Sequence, residues 1–448
     1  MEQIISQEKK VNSIYLVMLL LIYVVLINVL FFAIIPAFYI KSWTVYIVNF
    51  DSTSCIFSGF FLIALFIHIV QYNRFDTLSD IVILMLELLY FIPGTIYFYL
   101  YADNIYVSWC HCLYWIVLVV SQHLIPKCKA KILVRYSDYK EKQNFWAFLL
   151  TIMIVGLAII IGQQLGQGLR ILFVEDIYDV RLAYRSRDVH WLITNFYTGL
   201  SVIIPILISY WTLKKKYILC ILLFIGQIYI YSIACNKTFL YIAMAAFFIA
   251  LFYVNKERVT LCLLLLSLVS IIEFMVFKTG HLLGALRRLT LDPAQIASYD
   301  YDFFITKHNP LFYMSQTWTR ISSLVGFTSD YKESIGFVIG KYYATSSDIN
   351  LNTGMLGAGL AKFGLLALII CPISNIIGLR IIECFSNKIT NRKVIIVLAL
   401  VLVEQLIDLA DFISTFIKLS PMLMLIIFLL IFPFDMSVLE GKDEDSIK

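Results

Sequence analysis

The feature that most constrains this chain is a series of long apolar runs that fills it nearly end to end. They fall near residues 14–40, 54–71, 80–101, 105–125, 145–163, 191–212, 217–235, 238–254, 259–277, 353–379, 393–413 and 416–433. Each reaches or approaches the roughly 20 apolar residues a helix needs to cross the hydrocarbon core of a bilayer. Twelve such spans use about 240 positions and leave about 200 for connections, which suits a chain of 448 residues. With 61% hydrophobic and 15% charged positions, the chain lies far from the roughly 45–50% and 25% of soluble domains. Those figures exclude an ordinary cytosolic enzyme, a disordered chain, a disulfide scaffold and a coiled coil. The expected fold is an all-α polytopic membrane protein of about 12 transmembrane helices. No repeat and no Gly-, Ser- or Pro-rich linker divides it, so residues 1–448 read as a single transmembrane domain. The first run is too long for the h-region of a cleavable leader and reads as the first span.

Placement of Lys and Arg in the short connections sets orientation, because cytoplasmic loops carry the excess. A cytoplasmic N-terminus puts Lys9, Lys10 and Arg74 inside, then Lys127, Lys129, Lys131, Arg135, Lys140 and Lys142 after span 4. Lys214–Lys216, Lys256 with Arg258, and Arg380, Lys388, Arg392 and Lys393 follow on the same side, and residues 434–448 form a cytoplasmic tail. Two outer loops break this pattern. Residues 164–190 hold Arg170, Arg181, Arg185 and Arg187, and residues 278–352 hold Arg287, Arg288, His308, Arg320, Lys332 and Lys341. Positive charge kept on the outer side against the insertion bias is most simply explained by an anionic ligand there. The net charge of +5 gives no basic face for nucleic acid, and the lipid bilayer is the expected surrounding. The nine cysteines fall mostly in apolar runs, where a thiol acts as a small hydrophobe. Cys110-His111-Cys112 is too tightly spaced for a metal site, so no metal is expected.

In the first of these loops Arg181 and Arg185 are four residues apart, which in a helix puts both guanidinium groups on one face. Arginine presents a planar fork of donors matched to phosphate oxygens. Two readings stay open: a shared anion, or pairing with Glu175, Asp176, Asp179 and Asp188 nearby. In the long loop aromatic residues interleave with charges from Lys278 to Pro310. That pattern suits a segment lying on the bilayer surface, and it also suits sugar recognition. His308 is a candidate general base near neutral pH, and a structural, hydrogen-bonded role fits it equally. Glu404, Asp408 and Asp411 share one face of span 11, the last two toward the outer leaflet, where they could orient arginines or accept a proton. Glu87 and Glu273 stand isolated in their spans and read as structural hydrogen-bond partners. Lys237, in the turn between spans 7 and 8, reads as a phosphate contact or a snorkelling lysine.

Several segments then resemble one family. Leu286-Arg287-Arg288-Leu-Thr-Leu-Asp292-Pro293-Ala-Gln295, Tyr301-Asp302-Phe303-Phe304 and His308-Asn309-Pro310 resemble the long periplasmic loop of bacterial oligosaccharide repeat-unit (O-antigen) polymerases. So do Ile339-Gly340-Lys341-Tyr342-Tyr343 and the stretch from Asn350 through Asn352-Thr353-Gly354 and Gly357 to Phe363-Gly364. Asp179-Val180-Arg181 with Tyr184 resembles that family's first periplasmic arginine loop. These motifs cover about residues 179–187 and 285–365.

The resemblance implies a glycosyltransferase-C-like membrane enzyme of the bacterial inner membrane with its active site facing the periplasm. Such an enzyme moves a growing glycan from undecaprenyl pyrophosphate onto the next lipid-linked oligosaccharide, so donor and acceptor are both lipid-linked. It uses no cofactor and no metal, and works beside a flippase and a chain-length regulator. On this likeness Arg181, Arg185, Arg287 and Arg288 bind pyrophosphate, with Arg320 a weaker member. Lys237 stands where the family often has arginine. Candidate bases are His308, Asp302 and Asp408, and Tyr301 and Asn352 are candidate sugar contacts. An O-antigen ligase, transferring glycan to lipid A core, shares the large outer loop and its arginines. A lipid-linked oligosaccharide flippase is the transporter alternative. Charge concentrated in one loop of about 75 residues, with no repeated halves, speaks against the transporter.

Overall fold

The computed structural model describes residues 2–39, 52–101, 105–127, 140–166, 191–252, 254–278, 281–307, 335–343, 354–387, 391–409 and 421–432, apart from Tyr253. Val180, Ala183, Tyr184, Arg187, Leu351 and Ile389 are described as well. Among these residues all regular structure is helical. The helices are α1 (Glu2–Val29, continued by a π-helical turn at Leu30–Ile34), α2 (Ser52–Tyr72), α3 (Leu78–Tyr101), α4 (Ile105–Leu124), α5 (Lys140–Leu165) and α6 (Trp191–Leu213). They continue as α7 (Tyr217–Ala234), α8 (Lys237–Leu251), α9 (Lys256–Phe277), α10 (His281–Thr290), α11 (Asp292–Tyr301) and α12 (Ile335–Tyr343). Last come α13 (Gly354–Phe363), α14 (Ala367–Ser386), α15 (Arg392–Leu409) and α16 (Pro421–Ile431).

Nine helical stretches among the described residues are long and apolar enough to cross a membrane. They coincide with nine of the twelve runs read from the sequence. The other three runs fall on α8, of 15 residues, on α15, of 18, and on α16, of 11. The protein is thus a membrane-embedded helical bundle. Its chain divides into two compact units: residues 1–126, 255–378 and 403–414, and residues 127–254, 379–402 and 415–448.

In the first unit α3 is the central helix. Every residue from Leu78 to Phe98 is buried, as expected for a helix apolar on all sides. Its start is fixed by a capping box. The Thr77 hydroxyl accepts from the Asp80 backbone N–H at 3.3 Å, and the Asp80 carboxylate accepts from that of Thr77 at 3.1 Å. The segment after α9 packs into the first unit. Glu273 caps α10 by accepting from the Leu282 N–H at 2.9 Å, and Pro293 occupies the first turn of α11. Leu283, Leu286 and Leu291 are buried, as are Ala294, Gln295, Ile296, Ala297, Asp300 and Tyr301. Helix α11 packs against α13, α3 and α4. It approaches α3 closely, with the Ala294 methyl 3.6 Å from where a side chain at Gly94 would begin.

The second unit is built on close pairs of spans. Gly162 of α5 lies against the Tyr229 backbone of α7, 3.0 Å from where a Cβ would stand. Gly226 of α7 returns the contact against Ala158. Small residues at such crossings let two backbones approach, the usual device where lipid removes any hydrophobic drive between helices. Helix α6 packs on α5, α7, α8 and α16, and the Trp211 indole donates to the Thr151 hydroxyl of α5 at 2.9 Å.

Candidate functional site

The Arg287–Arg288 pair sits at the end of α10. Consecutive helical residues point about 100° apart, and the two side chains meet different surroundings. Arg287 lies largely inside, its Nε 3.2 Å from the Asp292 carboxylate, while Arg288 is exposed. Burial pushes the Asp292 carboxyl up from its ordinary value, and Arg287 and Arg288 pull it partly back. Arg288 is therefore the member of this pair that an external anion meets first.

Beyond α11 the chain makes a π-helical turn, Asp302–Lys307, and packs on α12. Tyr343 and Lys307 both donate to Asp302 Oδ2, at 2.6 Å each. Burial raises the Asp302 carboxyl, but these two bonds outweigh it and hold the group below the ordinary carboxylate value. A carboxylate so stabilised is a poor proton acceptor, so the structure argues against Asp302 as a base and makes it the anchor of a small polar platform. Tyr299 stacks face to face on Tyr343, with ring centres 4.7 Å apart and planes 4° from parallel. Tyr342 stands beside them at 56% exposure, with the Lys307 ammonium 5.3 Å from both the Tyr342 and Tyr343 rings. Tyr301, expected as a sugar contact, is buried at 9% exposure in the packing of α11. The α-helical turn directs position 301 inward, and the accessible aromatic face belongs to Tyr342 and Tyr343.

The residue that sequence reasoning missed is Asp300. It is fully buried, and neither carboxyl oxygen has a hydrogen-bond partner among the described residues. Burial drives its acid well above the ordinary carboxylate value, which favours the protonated, uncharged form. It occupies the space over Gly357 of α13, where an added Cβ would lie 1.9 Å from Asp300 Oδ2. Gly354, at φ +63°, opens that helix, and the Tyr90 phenol of α3 faces both Leu356 and Asp300. The signal was present: Pro293, Ile296, Ala297 and Asp300 fall on one helical face, and all four are buried.

In the second unit Val180 is buried with Tyr231, Cys235 and Leu240. Arg187 donates to the Leu165 carbonyl at 2.7 Å, a structural cap on α5. Lys237 is the half-buried first residue of α8, behind the Asn236 cap. Arg181, Arg185, His308, Arg320 and Asn352 lie outside the described residues, as does the side chain of Asp408. Glu404 is buried and bonded by the Gln405 amide. Among the described residues no three His, Cys, Asp or Glu side chains converge as metal ligands. No family model, curated protein or solved structure matches this chain.

Proposed function

We propose that the protein is an oligosaccharide repeat-unit polymerase of the bacterial inner membrane, with a glycosyltransferase-C-like bundle and an outward-facing site. The observation that carries this reading is Arg288, exposed in the last turn of α10 beside Arg287, which pairs with Asp292. A cation at that place suits a pyrophosphate, because positive charge acts where negative charge develops on a leaving group. Arg181 and Arg185 of the second unit are assigned the same ligand chemistry, since donor and acceptor each bring a lipid pyrophosphate.

In the proposed reaction an acceptor sugar hydroxyl attacks the anomeric carbon of the donor. The new carbon–oxygen bond forms as the bond to pyrophosphate breaks, and the hydroxyl proton passes to a base. With Asp302 tied to Lys307 and Tyr343, His308 is assigned that role. Tyr342 and Tyr343 take over the sugar-stacking role expected of Tyr301, with Lys307 and Asp302 as polar tips beside the rings.

The test is Arg288→Ala expressed in cells lacking the gene. Loss of one transition-state contact to developing charge costs about 10²–10³-fold in rate, so the surface polysaccharide collapses to single repeat units on a gel while protein level holds. Undiminished long chains at that level contradict the assignment.

A further inference from the structure

Helices α2 and α3 each contain one π-helical turn, His68–Tyr72 and Glu87–Phe91, and each turn begins with an ionisable residue. Single π turns inside α-helices concentrate at functional sites, because the extra residue re-aims side chains and loosens the backbone ladder. Here the two turns bring His68 and Glu87 together. Glu87 Oε1 lies 2.6 Å from His68 Nδ1 and accepts from the Trp115 indole of α4 at 2.9 Å. Glu87 is fully buried and His68 nearly so. Yet Glu87 Oε2 and His68 Nε2 have no hydrogen-bond partner among the described residues. A purely structural pair would close both ends, since an unpaired buried polar atom forfeits its hydration without return.

Charge accounting says what the pair holds. With both groups deprotonated, a lone carboxylate would sit in the interior of a membrane bundle with one oxygen bare, a costly state. One hydrogen ion makes the pair neutral overall, whether it resides on Glu87 or on His68. We propose that His68 and Glu87 form a binding site for a single hydrogen ion inside the bundle, with Trp115 as its third wall.

The charged and titratable groups around it are few. His123 of α4 lies with its ring 6.3 Å from His68, and Tyr72 stacks on His68 at 6.4 Å. Lys256 of α9 donates to the Ile69 and Asn73 carbonyls at 3.1 and 2.7 Å and lies within electrostatic reach of Glu87 and Asp76. Asp80 is bonded by Gln122 at 2.7 Å, and the Tyr23 hydroxyl of α1 donates to the Leu88 carbonyl at 2.8 Å. Farther along the bundle His111 approaches the Phe91 carbonyl, at the end of the second π turn, at 3.2 Å. The site is independent of the polymerase reading, since transfer of a glycan requires no acid or base at this position.

Trp115 supplies the readout. Purified protein in nanodiscs is titrated over the pH range in which it stays folded, and its fluorescence is compared with that of Trp115→Phe. The Trp115 difference signal changes in one step of a single hydrogen ion. That step is lost in Glu87→Gln and in His68→Asn, each checked for a monodisperse fold by size exclusion. Should neither variant fold, the infrared carboxylate or imidazole bands of the wild-type protein must change across the same step. A flat Trp115 signal in the wild type, a step that persists in either folded variant, or carboxylate and imidazole bands that both stay invariant overturns the site.

Discussion

The interiors of the two units are polar in different ways. In the first unit buried carboxyl groups and imidazoles stand with open valences: both oxygens of Asp300, Oε2 of Glu87, Nε2 of His68 and Nδ1 of His111. In the second unit the described buried polar groups are mainly hydroxyls and an amide that bond nearby backbone. Thr151, Ser209 and Thr212 each donate to a carbonyl one turn back, and Gln227 donates to Phe239. Its buried charges, Arg380 and Glu383, are paired at 2.7 Å. Neutral bonds of the second kind hold helices together at little risk. Groups of the first kind cost stability whenever they ionise, so they mark where protonation matters.

The comparison can be broken most sharply at Gly357. A methyl placed there would lie 1.9 Å from Asp300 Oδ2, so the Asp300 side chain must shift, and overpacking of this kind costs about 1–3 kcal/mol. Gly357→Ala is expected to lower the thermal midpoint in detergent, and the double variant with Asp300→Ala should recover most of the loss. Equal loss in the double variant would mean that the contact between α11 and α13 is not the cause.

Asp300→Asn sharpens it next. The folded-state acid is raised above its unfolded value of about 3.9, so its contribution to stability is intact below that pH. As pH rises through the window up to the folded value the contribution is lost, by up to about 1.4 kcal/mol per pH unit. The asparagine variant should therefore match the wild type in acid and become progressively the more stable of the two toward neutral pH. Parallel melting curves at every pH would contradict an acid raised by burial. The smallest effect belongs to the second unit. Thr151→Val removes the acceptor for the Trp211 indole, and interhelical hydrogen bonds in membranes are worth about 0.6 kcal/mol on average. That loss should not vary with pH, which the same melting series checks.

What the sequence made legible follows what the bilayer demands. The spans stand out because lipid requires continuous apolar runs, and Glu87 and Glu273 were recognisable as hydrogen-bonding groups because an isolated acid in a span has few alternatives. Helices α10 and α11 did not stand out: Arg287, Asp292 and Asp300 interrupt any apolar pattern, and burial there comes from packing on α13, α3 and α4. His68 escaped notice because its partner is 19 residues away on another helix, and only the two π turns bring them face to face. Tyr301 and Tyr342 show the same limit. Both lie in aromatic stretches, and only the helix rotation decides that one is inside and the other exposed.

The claim that carries the functional account is the side of the membrane on which α10, α11 and α12 are presented. It is tested by single cysteines at Thr306, an exposed position beside the tyrosine platform, and at Lys215, an exposed position between α6 and α7. Both are probed with a membrane-impermeant maleimide in intact spheroplasts and scored above the labelling of the parent protein. The account predicts that Thr306→Cys is labelled in intact cells and Lys215→Cys only after lysis. The reverse pattern would place the arginines in the cytoplasm and contradict it.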